Sequence, residues 1–129
     1  MFRRPVKERF IVLAITSGPT MDVENNRIMN ETIESYKPSF WRLHNPDSYL
    51  VYFRFKNKKS AAHANKLHRE VIDLIKYNSN FEHFKIGLNE GILISEVNLF
   101  GGVTFEPLGK AVNKAYKMQK GKSELISNT

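Results

Sequence analysis

From Arg9 to Thr16 the chain reads RFIVLAIT, a nearly continuous apolar run rich in Ile and Val. A strand buried on one face alternates apolar with polar residues, so an unbroken run predicts a central strand covered on both faces. Ser17-Gly18-Pro19-Thr20 stops it. Asp22 is placed to cap a helix in which Met29, Ile33 and Tyr36 fall at helical spacing, and Lys37-Pro38 ends that helix. Ser39–His44 and Ser48–Phe55 read as strands joined by the turn tripeptide Asn45-Pro46-Asp47, an antiparallel hairpin. Lys56-Asn57-Lys58-Lys59 reads as a solvated connection. Ser60–Tyr77 then carries Ala64, Leu67, Val71, Leu74 and Ile75 at steps of three and four, an amphipathic helix closed by Asn78-Ser79-Asn80.

The last third, Phe84 to Gln119, reads as strand, turn, strand, loop, helix. Two alternating apolar runs meet at a turn over Asn89-Glu90-Gly91. A Gly-rich turn follows at Gly101-Gly102, and Pro107-Leu108-Gly109 leads into a helix carrying Lys110, Asn113 and Lys117. Glu124-Leu125-Ile126-Ser127 reads as the start of a last short strand. The predicted fold class is therefore α+β: a βαββαβ ferredoxin-like core in which two helices pack on one face of an antiparallel sheet, with an extra hairpin strand and a C-terminal helix. Ile86 and Leu88 are expected on a central strand beside Val12 and Leu13.

At 129 residues the sequence reads as one domain, 1–129, large enough to bury a core without covalent staples. It has no cysteine, which excludes a disulfide framework and a thiolate metal site and suits a reducing compartment; a cytoplasmic location is expected. The basic start, Met1-Phe2-Arg3-Arg4-Pro5, is followed by too short an apolar run for a signal peptide or membrane span. A net charge of +7 and a pI near 9.7 favour acidic partners: nucleotides, nucleic acid or an acidic protein surface.

IGLNEG at Ile86–Gly91 and FEPLGKAVNKAYK at Phe105–Lys117 resemble the class III nucleotidyl (adenylate and guanylate) cyclase catalytic domain, whose pattern there is roughly IGIHxG and YxxxGDxVNxAxR. FIVLAITSGPT sits where that family has a strand ending in DIxGFT, and Asn45–Phe53 where it has GDxxLAVF. The resemblance covers almost the whole chain, in a shortened form. It implies cyclisation of a nucleoside triphosphate by two divalent ions bridged by two aspartates. The Gly18 register puts Ile15 at the first aspartate, and Asp47 keeps the second. Asp47 equally suits the hairpin turn itself.

The base-reading positions implied by the resemblance fall on Leu43, with Arg42 beside it pointing to the other face, and on Lys110, so neither purine pattern is present. Asn113 matches the family Asn that orients ribose and phosphate. Lys117 stands where an Arg stabilises phosphate charge, keeping the charge but losing the planar fork. Lys110, Asn113 and Lys117 share a helix face by spacing, which is equally the pattern of a solvated lysine face. Gly18 and Thr20 remain from the phosphate-holding segment, where Pro19 removes one backbone donor. His44, His63, His68 and His83 show no ligand spacing.

The expected nucleotide-binding set is thus Gly18, Thr20, Lys110, Asn113 and Lys117, with Asn113 and Lys117 in any catalytic role and Asp47 as the metal ligand. No cofactor is assigned by the sequence; Mg²⁺ or Mn²⁺ could accompany a bound nucleotide. The reading is a degenerate cyclase-like domain without cyclase activity alone, a dimerising or nucleotide- or phosphate-binding regulatory module, as a homodimer or with a cyclase-like partner chain. The alternatives are one half-site of an active heterodimeric cyclase and a basic nucleic-acid-binding domain; the latter is disfavoured because the aromatic residues form no RNA-binding signature. No membrane partner is expected.

Overall fold

The computed structural model describes residues 4–18, 22–44, 47–100 and 102–127. The order is β1 (Arg4–Thr16), α1 (Val23–Ser35), β2 (Phe40–His44), β3 (Ser48–Arg54), α2 (Lys58–Tyr77), β4 (Lys85–Val97), α3 (Lys110–Lys117) and α4 (Lys122–Ser127), with a 3₁₀ turn at Ser79–Phe81 before β4. The expected βαββαβ core is present. Its four strands form one antiparallel sheet in the order β2-β3-β1-β4.

β1 explains the apolar run. Ile11, Leu13 and Ile15 project into a core shared with Met29 and Ile33 of α1 and with Leu67, Val71 and Ile75 of α2. The alternate residues Phe10, Val12 and Ala14 enter a second core with Leu50, Tyr52, Leu93, Ala111 and Ala115. Consecutive strand residues point to opposite faces, so three layers require both sets to be apolar. α1 and α2 cover one face of the sheet and α3 covers the other.

The helix starts follow from side-chain caps. Asp22 accepts a hydrogen bond from the Asn25 N–H (2.7 Å), as its position predicts. Asn57 does the same for α2, accepting from the Ser60 N–H at 3.0 Å. This cap draws Lys58 and Lys59 into the helix, out of the loop expected there. Asn25, a poor helix former, is buried because its amide donates to the Asn80 carbonyl (2.9 Å) and ties α1 to the segment before β4.

Three expectations are corrected. The chain makes no turn at Asn89-Glu90-Gly91: β4 runs straight through, with Asn89 opposite Val12, Glu90 opposite Ile11 and Gly91 opposite Phe10. A thirteen-residue partner strand supplies ladder hydrogen bonds throughout, and these outweigh a local turn preference. The chain reverses instead around Asn98, whose side-chain oxygen accepts from the Phe100 and Gly102 N–H groups, and the extra hairpin strand reduces to isolated bridges, Val97 to Val103 and Ile94 to Leu108. β4 is consequently an edge strand of the sheet, so Ile86 and Leu88 are not central. Finally, Glu124–Ser127 belongs to α4, because the Glu124 carboxylate accepts from the Gly121 N–H and starts a helix there.

Among the described residues no helix is long and apolar enough to cross a membrane. Val71 is fully buried at the centre of the α2 contact with the sheet. Val71→Asp is therefore expected to cost more than about 4 kcal/mol by burying an unpaired charge. Loss of the cooperative thermal transition, followed by circular dichroism, checks this.

Candidate functional site

α3 comes unusually close to the sheet. A Cβ on Gly87 of β4 would lie 2.0 Å from the Ala115 carbonyl oxygen, and one on Gly91 2.8 Å from the Ala111 Cβ. The small residues Ala111 and Ala115 face these glycines and let the helix settle on β1 and β4. Gln119, just after the helix, donates from its side-chain amide to the Thr16 hydroxyl (2.7 Å) and the Ala14 carbonyl (3.1 Å), fixing the end of α3 to the end of β1.

Beside α3 this docking leaves a cleft of about 290 Å³, whose polar lining is Arg42, His44, Tyr52, Glu106, Asn113 and Tyr116. The Arg42 guanidinium donates to the Glu106 carboxylate at 2.6 Å, and the Tyr52 hydroxyl donates to the other Glu106 oxygen. The positive charge in the cleft is thus already paired. Burial raises the Tyr52 pKa, and the hydrogen bond to Glu106 adds to the rise. Burial likewise raises Tyr116; the Asp47 and Glu106 charges add, while Ser48 and Arg42 oppose. Ser48 is near enough to act on the Tyr116 hydroxyl, yet among the described residues nothing meets that buried oxygen in hydrogen-bond geometry. It is a buried polar atom in the wall of the cleft.

The sequence-derived site residues divide. Asn113 lines the cleft; Lys110 and Lys117 are exposed on α3 and do not. Spacing gives the three a common stripe, but the cleft takes only one. Asp47 lies where the Ser17 N–H donates to its backbone carbonyl (2.7 Å), which brings the β2–β3 connection against the end of β1, and its charge reaches Tyr116. Gly18 packs on His83, with a Cβ there only 2.4 Å from the His83 Cβ, so close packing accounts for this glycine. Thr20, together with Asn45 and Pro46 of the turn, lies outside the described residues. The base-reading position on β2, Leu43, is exposed and paired with Tyr49 on the α1/α2 face, while its neighbour Arg42 faces the cleft.

Glu106, Tyr52 and Tyr116 were not singled out by the sequence. The available signal was the alternation of β3, which puts Tyr52 on the α3 face beside Leu50. Glu106 carried no periodic signal, since it stands in the irregular stretch before α3. The cleft therefore does hold a carboxylate, four residues ahead of Lys110.

A two-ion centre needs hard oxygen ligands from both aspartate positions. Ile15 is 0% exposed, sunk in the α1/α2 core, and offers no donor. Among the described residues no three His, Asp or Glu side chains group as a metal site. These residues do not fit such a centre.

No family profile matches the sequence, and no curated protein is similar to it in sequence. Solved structures do match. The guanylate cyclase domain of RhGC from Catenaria anguillulae, in complex with GTP, superposes with a TM-score of 0.63 at 15% identity, over 91% of this chain and 77% of that one. The monomeric guanylyl cyclase domain of the RhoGC fusion protein from Blastocladiella emersonii gives 0.62 at 15% identity, over 96% and 88%. A bacterial light-regulated adenylyl cyclase gives 0.56 at 17%, over 88% of this chain and 40% of that one. The fold is that of a nucleotidyl cyclase catalytic domain. At such identities the likeness speaks for the cyclase fold and not for its chemistry.

The tyrosines give this cyclase fold a pH signature. Burial pushes Tyr49 up to about 12, and Tyr52 and Tyr116 are raised too. An unfolded phenol ionises near pH 10, so above that the unfolded state loses protons that the folded state keeps, and stability falls as pH rises. The loss from Tyr49 alone is expected to be on the order of 2 kcal/mol between about pH 10 and 12. Urea titrations across that range, with phenolate absorbance recorded, should show ionisation coinciding with unfolding, and Tyr49→Phe should flatten the decline.

Proposed function

We propose that this chain is a cyclase-like domain that binds a nucleotide or phosphate group and works in a dimer, without cyclase activity by itself. The observation that carries the reading is Ile15: the position the resemblance assigns to the first metal aspartate is an aliphatic side chain locked into the core. Restoring a carboxylate there would bury a charge among Met29, Ile33 and Tyr49. Asp47 alone leaves the phosphates without the paired ions that cyclisation requires.

Binding is supported by the cleft beside Asn113 and by Lys110, Lys114 and Lys117 on the exposed side of α3. Dimer formation is supported by apolar residues left exposed on β4 and its return: Ile92, Ile94, Leu99, Phe100, Phe105 and Leu108. Phe100 is 94% exposed, and a cluster of this kind commonly marks a protein contact. Among proteins of this fold, the Blastocladiella emersonii guanylyl cyclase domain has been solved as a dimer and as a monomer. A second reading rests on Asn113 lining the cleft: the chain would supply Asn113 and Lys117 to a partner chain that carries both metal aspartates.

The purified chain is expected to form no cyclic AMP or cyclic GMP above background with Mg²⁺ or Mn²⁺. Turnover that disappears in Asp47→Ala would return it to the active cyclases, and turnover only on mixing with a cyclase-like chain would support the half-site reading.

Triphosphate binding is expected to be weak and strongly salt-dependent, because exposed charges are screened beyond roughly 8–10 Å at physiological ionic strength. Lys117→Glu should weaken it more than Lys58→Glu or Lys59→Glu at the start of α2. Equal losses for all three, measured by calorimetry at two salt concentrations, would replace an inherited site with a diffuse basic surface.

A further inference from the structure

At the β4 edge of the sheet, away from the Asn113 cleft, a cavity of about 370 Å³ lies between α2, β4, the end of α3 and α4. That size is within the range of small-molecule sites, roughly 300–1,000 Å³. Its walls are Ile72 from α2, Ile86 and Leu88 from β4, Met118 after α3 and Leu125 from α4. His68 and Lys120 are the only polar side chains among the described lining residues, and no carboxylate is among them.

The position of Lys120 is built into the fold. Its N–H donates to the Ile86 carbonyl (2.9 Å) and its carbonyl accepts from the Ile86 N–H (3.1 Å), so its backbone is held against the edge of β4. Lys120 is an exposed residue of the lining, so its side chain stands where the apolar pocket meets water. Burial holds the His68 imidazole below its ordinary pKa, so at neutral pH it serves as a hydrogen-bonding group and adds no second charge. An apolar pocket whose lining carries one cation and no carboxylate suits a ligand with an aliphatic body and a single negative head.

We propose that this cavity binds a small aliphatic monocarboxylate of the medium-chain fatty acid class, its chain against Ile72, Ile86, Leu88 and Leu125 and its head at Lys120. The site is independent of the nucleotide reading, since it shares no lining residue with the Asn113 cleft.

Octanoate, octanol and octylamine have nearly the same body and differ in the head. Titrated into the methyl-labelled full chain, octanoate is expected to shift the methyl signals of Ile72, Met118 and Leu125 saturably, with octylamine at least about tenfold weaker. Lys120→Gln, at an exposed position, should weaken octanoate about three- to fivefold, the scale of one solvent-accessible ion pair, and leave octanol unchanged. Leu125→Trp should fill the chamber and abolish binding, with the methyl signals of β1 confirming an intact core. Equal affinity for octanoate and octylamine, an unchanged octanoate affinity in Lys120→Gln, shifts confined to the Asn113 cleft, or no saturable binding below micelle formation would each overturn the proposal.

Discussion

The structure depends on the double ladder of β1. This strand pairs antiparallel with β3 on one side and β4 on the other, and Phe10 to Ile15 are buried without a break. Each fully buried aliphatic or aromatic side chain contributes about 1.5–3 kcal/mol relative to exposure. Six consecutive buried residues can contribute only if both faces of the sheet are covered. That requirement places α1 and α2 on one side and α3 on the other, and it accounts for the three layers.

The candidate cleft is a by-product of how α3 meets that requirement. Gly87 and Gly91 let the helix approach β4, and Gln119 ties its far end to β1. The helix is then fixed while the irregular stretch before it must cross the open side of β2 and β3. Glu106 meets Arg42 and Tyr52 there, and a cleft with an internal ion pair results. A half-buried ion pair of this kind orders the cleft wall more than it adds to net stability, because desolvation offsets much of the attraction.

The end of β1 keeps the strand pairing of the fold while its side chains serve the core. Ile15 and Thr16, at the end of β1, are paired with Tyr49 and Ser48, so the strand geometry of the cyclase fold persists. The same geometry that could present an aspartate at this end instead adds Ile15 to the core against α1 and α2. A side chain at this strand position thus serves the core between the sheet and the two helices, as its complete burial shows. The exposed lysines of α3 lie outside the cleft, so the basic character of the chain and its cleft are distinct features of the surface.

The sequence by itself determined the βαββαβ order, the central place of β1, the amphipathic face of α2 and the Asp22 cap, because periodicity and capping are local properties of consecutive residues. It also placed Asn113 on the late helix and Ile15 in the core-forming strand. Tertiary structure alone decided that Asn89-Glu90-Gly91 would be strand, since the ladder offered by β1 is invisible to a local reading of turn residues. Glu124–Ser127 is helix through a local side-chain cap across Gly121, a signal that a strand reading of four residues passes over. Tertiary structure alone also gathered Arg42, Tyr52, Glu106 and Tyr116 around Asn113: these residues are up to 74 positions apart, and their meeting depends on the distance at which α3 settles on the sheet. That distance is set by what Gly87 lacks, a side chain, and only packing reveals its consequence.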